Sequence, residues 1–137
     1  MISKKHVWIT GDEIRKSENT IYVFGDNLEQ WGEGGQALVA RRFVKKRKAM
    51  GIPTKRSPKT SVSACFSDQD DEIKAVKQAF REIVKQIKKG KKIIFFPGIG
   101  EGRADLKNRS PIIHAMIRDF INGHQKIDIE RLRGNVK

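Results

Sequence analysis

Four consecutive apolar residues, Ile93-Ile94-Phe95-Phe96, run directly into Pro97-Gly98-Ile99-Gly100-Glu101-Gly102, and no other stretch constrains the fold as strongly. An apolar run without alternation suits a strand buried on both faces, as in a parallel sheet covered by helices on either side. The run is far too short to cross a bilayer, so no membrane partner is expected. The glycines that follow end the strand in a loop able to adopt backbone conformations closed to other residues.

The rest of the chain fits around that strand. Thr20-Ile21-Tyr22-Val23-Phe24 is β-branched and aromatic and stops at the turn tripeptide Gly25-Asp26-Asn27. His6 to Thr10 is a shorter strand candidate, closed by Gly11-Asp12. Ser61 to Phe66 is a less secure third one. Gly32-Glu33-Gly34-Gly35 leads into a helix over Gln36 to Val44. The segment from Met50 to Lys59 carries Gly51, Pro53 and Pro58 and reads as loop. After Ser67-Asp68-Gln69-Asp70-Asp71, Ile73, Val76, Phe80, Ile83, Val84 and Ile87 share one helical face, and Gly90 closes that helix. Ser110-Pro111 opens a last helix with Ile112, Ile113, Met116, Ile117, Phe120 and Ile121 on its apolar face. Asn122-Gly123 is expected to stop it, leaving Ile127 to Lys137 as a short strand, a packed turn or a frayed end. Strands alternating with helices imply an α/β fold: one domain over 1–137, three α/β/α layers, and a mixed, mainly parallel sheet. The strands near 20–25 and 92–97 should be neighbours, with both Gly-rich loops on one edge.

Charge narrows the partner. Twenty-nine Lys plus Arg against 16 Asp plus Glu leave +13, which favours a polyanion or a phosphorylated small molecule, although lysines also simply coat helix faces. The single cysteine, Cys65, forms no internal disulfide and has no partners for a metal knuckle, so neither a metal nor a cofactor is expected. No apolar segment follows the lysines of the N-terminus, and the expected compartment is the reducing cytoplasm.

Candidate chemistry concentrates in the two Gly-rich loops. Each follows a strand, and in parallel α/β sheets ligands bind at the carboxyl ends of strands. Glycines let backbone N–H groups approach an anion closely, although either loop alone reads equally as a tight turn. Neither spacing is that of a dinucleotide fingerprint or a P-loop. The basic run Arg41-Arg42-Phe43-Val44-Lys45-Lys46-Arg47-Lys48 offers a nucleic-acid surface or a solvated helix end. His114 reads as a packed or half-exposed helix residue, and Cys65 as a buried thiol in an apolar strand. Arg103 and Asp105 either contact a ligand or pair with each other.

In order and spacing these stretches resemble the macrodomains, a family that binds ADP-ribose and its derivatives. The similarity rests on Ile9 to Ile14, on Thr20 to Ala37, and most specifically on Phe96 to Gly102. The resemblance implies that Asp12 accepts a hydrogen bond from the adenine amino group. It places Asn27, Gly34 and Gly35 around the distal ribose and its phosphate, and wraps Pro97, Gly98, Ile99, Gly100, Glu101 and Gly102 around the diphosphate. It leaves open hydrolysis of an ADP-ribosyl or phosphate-ester bond, with Asn27 orienting and Asp26 or Asp105 as bases. The family's aromatic residue after the second loop is replaced here by Arg103-Ala104-Asp105. The expected ligand is ADP-ribose or a related phosphorylated nucleotide, with a non-enzymatic nucleic-acid-binding domain as the alternative. A side chain at Gly100 should block the diphosphate while costing the fold little, because the loop lies at a strand end.

Overall fold

A computed structural model describes residues 9–32 and 35–136, without the side chains of 35, 36 and 125–136. Its elements are α1 (Gly11–Lys16), β1 (Thr20–Asn27), α2 (Gly35–Arg41), β2 (Ala49–Lys55), α3 (Asp70–Lys88), β3 (Lys92–Phe95), α4 (Leu106–Arg109) and α5 (Pro111–Val136). A single 3-10 turn, Val62–Ala64, lies between β2 and α3. The three strands form one sheet in the order β2-β1-β3, and both pairings are parallel. An isolated antiparallel bridge joins Lys55 to Cys65.

β1 is the central strand, and its alternation builds two cores. Ile21 and Val23 pack with Val76 and Ile83 of α3, Ile113 and Ile117 of α5, and Phe66. Tyr22 and Phe24 point the other way, onto Ile14 of α1, Ala40 of α2 and Phe43. β3 repeats the pattern: Ile93 and Phe95 join the first core, while Phe96, just past the strand, joins the second. Helices therefore cover both faces of an α/β sheet, as an uninterrupted apolar run requires. On the α3–α5 side Phe80 stacks flat on Phe120, with ring centroids 4.1 Å apart.

The helix termini are secured by side chains. Lys48 Nζ donates to the Arg15 carbonyl at 2.6 Å and the Ser17 carbonyl at 3.1 Å, closing the C-terminal end of α1. Glu72, fully buried in the first turn of α3, accepts from the Ser67 and Gln69 N–H groups at 2.8 and 2.9 Å. Its other oxygen lies 2.7 Å from Arg56 Nε, which joins α3 to the chain just past β2. Asp68 accepts from the Ile112 and Ile113 N–H groups and from the Ser110 hydroxyl, fixing the start of α5.

Six expectations are corrected. Ile112 is not on the buried face of α5 but 56% exposed, while Ile113, Ile117 and Ile121 are buried. The stretch 50–59 is not all loop, because 49–55 form β2. Pro53 is tolerated there because β2 is an edge strand of this sheet. The Tyr22 N–H donates to the Lys48 carbonyl, so alternation turns the backbone groups of residues 49, 51 and 53 away from β1, and Pro53 removes no ladder bond. Ser61 to Phe66 forms a 3-10 turn rather than a strand, and Cys65 is only half-buried. Asn122-Gly123 does not stop α5, which continues through the tail to Val136, since a single glycine costs a helix only about 1 kcal/mol. The helix after the glycines ends at Arg41, not Val44, and turns fill residues 42–48. Gly11 and Asp12 do not close a strand; Thr10 caps α1, its Oγ1 accepting from the Glu13 N–H at 3.1 Å. Residues 6–8 of that strand candidate lie outside the described residues. Strands β1 and β3 are neighbours, as expected.

Candidate functional site: a cleft at the carboxyl edge of the sheet

β1 and β3 are parallel, so the segments that follow them leave the same edge. The loop after β3 folds back against the end of β1. A Cβ placed on Gly25 would sit 3.6 Å from Ile99 Cγ2 and 3.8 Å from the Gly100 nitrogen. Between these segments lies an open cleft of about 830 Å³. It is lined by Phe24, Gly25, Asp26 and Phe96 at the ends of β1 and β3, by Pro97 to Gly100 with Gly102 and Arg103 of the loop after β3, and by Trp31, Gly32, Arg41, Thr54, Lys55 and Pro58.

The loop after β3 owes its shape to two residues with positive φ, Gly98 at +73° and Gly100 at +80°. The Glu101 N–H donates to the Gly98 carbonyl at 3.0 Å, and the Leu106 N–H donates to the Gly100 carbonyl at 3.1 Å. The N–H groups of Ile99, Gly100 and Gly102 find no acceptor among the described residues. Gly102 has open space where a side chain would begin. Gly100 has none: a Cβ there would lie 2.5 Å from Leu106 Cδ1. The expectation that a side chain at Gly100 costs the fold little is therefore corrected, because Leu106 is fully buried.

Asp26 and Arg41 form an ion pair within the cleft, with side chains 9% and 19% exposed. Arg41 also donates to the Gly32 carbonyl at 2.7 Å and lies over the Phe24 ring, 5.8 Å from its centroid. Asp26 Oδ1 accepts the Asn27 N–H at 2.8 Å, and Thr54 Oγ1 donates to the Asp26 carbonyl at 3.1 Å. Asn27 is buried, and both ends of its amide are engaged by the next turn. Oδ1 accepts from the Glu29 and Gln30 N–H groups at 3.0 and 2.9 Å, and Nδ2 donates to the Trp31 carbonyl at 2.8 Å.

The sequence-derived candidates thus separate. Asp26, Asn27, Pro97, Gly98, Ile99, Gly100 and Gly102 come together on the cleft. Glu101 is exposed and pairs with Arg118 of α5 at 3.1 Å rather than lining the cleft. Asp12 is exposed on α1, paired with Arg15, and is not among the cleft residues. Asp105 stands at the start of α4 with φ +45° and accepts from Asn108 Nδ2 at 2.9 Å. It borders a separate hollow of about 200 Å³ that also includes Lys107 and His114. Gly34 lies outside the described residues, and Gly35 begins α2.

The basic run is divided as well. Arg41 faces the cleft, and Lys48 caps α1. Lys46 Nζ lies 5.8 Å from the Phe43 ring centroid. Arg42, Lys45, Lys46 and Arg47 are exposed and pair with no carboxylate among the described residues. Sequence reasoning missed Trp31, Thr54 and Pro58. Thr54 was hidden by reading β2 as loop, and Pro58 lies in the bend just past that strand; Trp31 had a visible signal, a large aromatic in the polar turn Leu28-Glu29-Gln30-Trp31-Gly32. No group of three or more His, Cys, Asp or Glu side chains converges as for a metal, and no helix is long and apolar enough to cross a membrane, among the described residues.

The fold and site together define a parallel α/β protein with a ligand-sized cleft at the carboxyl ends of β1 and β3. The chain belongs to a family described as a family of unknown function (DUF7831), whose model matches residues 4–120. Comparison with curated proteins and with solved structures returned no match.

Proposed function

We propose that the cleft binds a phosphorylated nucleotide, with ADP-ribose as the reference ligand and the macrodomain-like loop Pro97–Gly102 as its diphosphate cradle. One observation carries this reading: the two Gly-rich segments border one cleft, with Gly25 within van der Waals reach of Ile99 and Gly100. Unpartnered N–H groups at Ile99, Gly100 and Gly102 supply donors suited to phosphate oxygens. Lys55 and Arg103 add positive charge to the lining, where Asp26 is already neutralised by Arg41. The apolar side, with Phe24, Phe96, Ala37 and Pro58, suits a base or a ribose face.

Binding has better support than turnover. Asn27 spends both ends of its amide on its own turn, Asp26 is held by Arg41, and Asp105 borders a different hollow. Asp12 is no longer the adenine reader in this proposal, since it does not line the cleft.

Calorimetric titration with ADP-ribose, AMP and a short DNA duplex tests the reading, alongside Gly102→Val, whose side chain enters open space. Wild type should bind ADP-ribose more tightly than AMP, and Gly102→Val should bind it at least tenfold more weakly with an unchanged melting temperature. Absence of binding to both nucleotides sinks the proposal. Duplex binding without nucleotide binding would favour the nucleic-acid reading, whose specific support is the unpaired, exposed set Arg42, Lys45, Lys46 and Arg47.

A further inference from the structure

Trp31 is 55% exposed, the only exposed aromatic side chain among the described residues, and it lines the cleft. An indole left in water by a chain that buries Tyr22, Phe24, Phe66 and Phe96 is an uncompensated apolar surface. It is also held in place rather than merely left out. Its carbonyl accepts the Asn27 Nδ2 hydrogen bond at 2.8 Å, and its Nε1 donates to Glu29 Oε1 at 2.7 Å. Asn27 Oδ1 simultaneously fixes the N–H groups of Glu29 and Gln30, and Gln30 takes a φ of +60°, a conformation non-glycine residues seldom adopt. Immediately beyond, Gly32 has φ +131°, and a Cβ there would lie 2.8 Å from Pro58 Cβ, so the far side of the turn is pinned as well.

A buried amide making three hydrogen bonds therefore orders a four-residue turn whose apolar product is one exposed indole at the rim of a cleft. We propose that Trp31 is the ring platform of this cleft, stacking on the nucleobase of a phosphorylated nucleotide, and that Asn27 is its positioning residue. The inference rests on the nucleotide reading above and deepens it. The lining carries both kinds of chemistry: the glycine loop with Arg103 offers donors and positive charge, and the turn at Trp31 with the neighbouring Pro58 offers apolar surface. An aromatic face takes any base, so the platform contributes affinity with little base preference. The same geometry gives Asn27 a role that needs no contact with the ligand.

The test uses the full chain with ADP-ribose and inorganic pyrophosphate as probes. Trp31→Ala should weaken ADP-ribose roughly tenfold to a hundredfold, the range for removing one base–aromatic stack, and leave pyrophosphate affinity unchanged. Trp31→Phe should recover most of the ADP-ribose affinity while abolishing the ligand-induced change in tryptophan fluorescence expected of wild type. Asn27→Asp keeps the Oδ1 acceptor but sets a carboxylate oxygen against the Trp31 carbonyl. It should weaken ADP-ribose in wild type and have no further effect in Trp31→Ala, the non-additivity expected if it acts through the indole. Wild-type ADP-ribose affinity in Trp31→Ala, or an unaltered fluorescence response in Trp31→Phe, overturns the platform and leaves the nucleotide reading standing. Equal loss of ADP-ribose and pyrophosphate in Trp31→Ala also overturns it, since the indole then merely shapes the loop. Failure of wild type to bind ADP-ribose at all removes both.

Discussion

Gly100 and Gly102 stand two residues apart in one loop and carry different constraints. Gly100 combines a φ of +80° with a Cβ position 2.5 Å from Leu106 Cδ1, whereas Gly102 has nothing within 4 Å. Gly100→Ala should therefore destabilise the fold by about 2–4 kcal/mol, adding left-handed strain to overpacking of a buried leucine. Gly102→Ala should stay within about 0.5 kcal/mol of wild type. Urea unfolding of the two variants decides the matter, and equal midpoints would show that the loop adjusts around Leu106. The neighbouring ion pair makes a second demand on residue identity. Arg41 bonds Asp26 and the Gly32 carbonyl at once through its guanidinium fork, a geometry a lysine ammonium reproduces poorly. Arg41→Lys is expected to keep part of the stability, and Arg41→Met to lose about 3 kcal/mol by leaving the carboxylate buried and uncompensated. If both variants unfold at the wild-type urea concentration, Asp26 has found water in their place.

The elements most legible in the sequence are those whose residues face one environment throughout. β1 and β3 announce themselves as unbroken apolar runs because both faces of each strand are covered, and α3 and the start of α5 do so through apolar residues at steps of three and four, such as Ile73, Val76, Phe80 and Ile83. β2 was illegible because its sequence, Ala49 to Lys55, answers to three neighbours. Gly51 makes room for Asp26, whose Cβ lies 2.7 Å from where a Gly51 Cβ would be; Pro53 is licensed by the outer edge; and only Ile52 is a large, fully buried residue. The candidate site was legible as glycines and not as side chains. Asn27 and Asp26 were singled out and both line the cleft, yet their hydrogen-bond partners, Trp31 and Arg41, depend on a turn and a helix that spacing alone does not orient. The Asp68 hook was hidden for a related reason, since its partners Ser110, Ile112 and Ile113 are more than forty residues away. Burial acts to raise the Asp68 carboxyl, but the hydrogen bonds from Ser110, Ile113 and Ile112 outweigh it and hold the group below the ordinary aspartate value. A lowered folded-state pKa means that the unfolded chain takes up the proton first, so stability is intact above about pH 4 and declines as pH falls below it. Asp68→Ala should lower stability at pH 7 by about 1–2 kcal/mol, the usual cost of losing a helix cap, and should flatten the acid limb of the stability curve. Chemical denaturation at pH 7 and pH 3 measures both, and an acid limb as steep as wild type would assign the pH dependence to other carboxylates.

At the scale of the whole molecule, a charge of +13 on 137 residues repels itself, and few cations are offset. Among the described residues Arg15, Arg41, Arg56, Lys85, Arg109 and Arg118 have carboxylate partners. The pairs of Arg41 with Asp26 and of Arg56 with Glu72 engage carboxylates almost or wholly hidden from water, where screening is weak; the repulsive charges sit in solvent, where it is strong. Added sodium chloride should therefore remove repulsion faster than attraction. The melting temperature is expected to rise between 20 and 300 mM salt by roughly 2–6 °C, about 1 kcal/mol for a domain of this size. Arg42, Lys45, Lys46 and Arg47 crowd one exposed turn region, so replacing all four by Gln, which lowers the net charge from +13 to +9, should reproduce part of that rise without salt. The same variant should leave ADP-ribose affinity untouched, because none of the four lines the cleft, while weakening any duplex binding and its salt dependence. A melting temperature that falls with salt in wild type would mean that surface attraction, not repulsion, dominates this charge distribution. A Gln variant that loses ADP-ribose would place the basic turn in the ligand's field and join the two surfaces that the structure keeps apart.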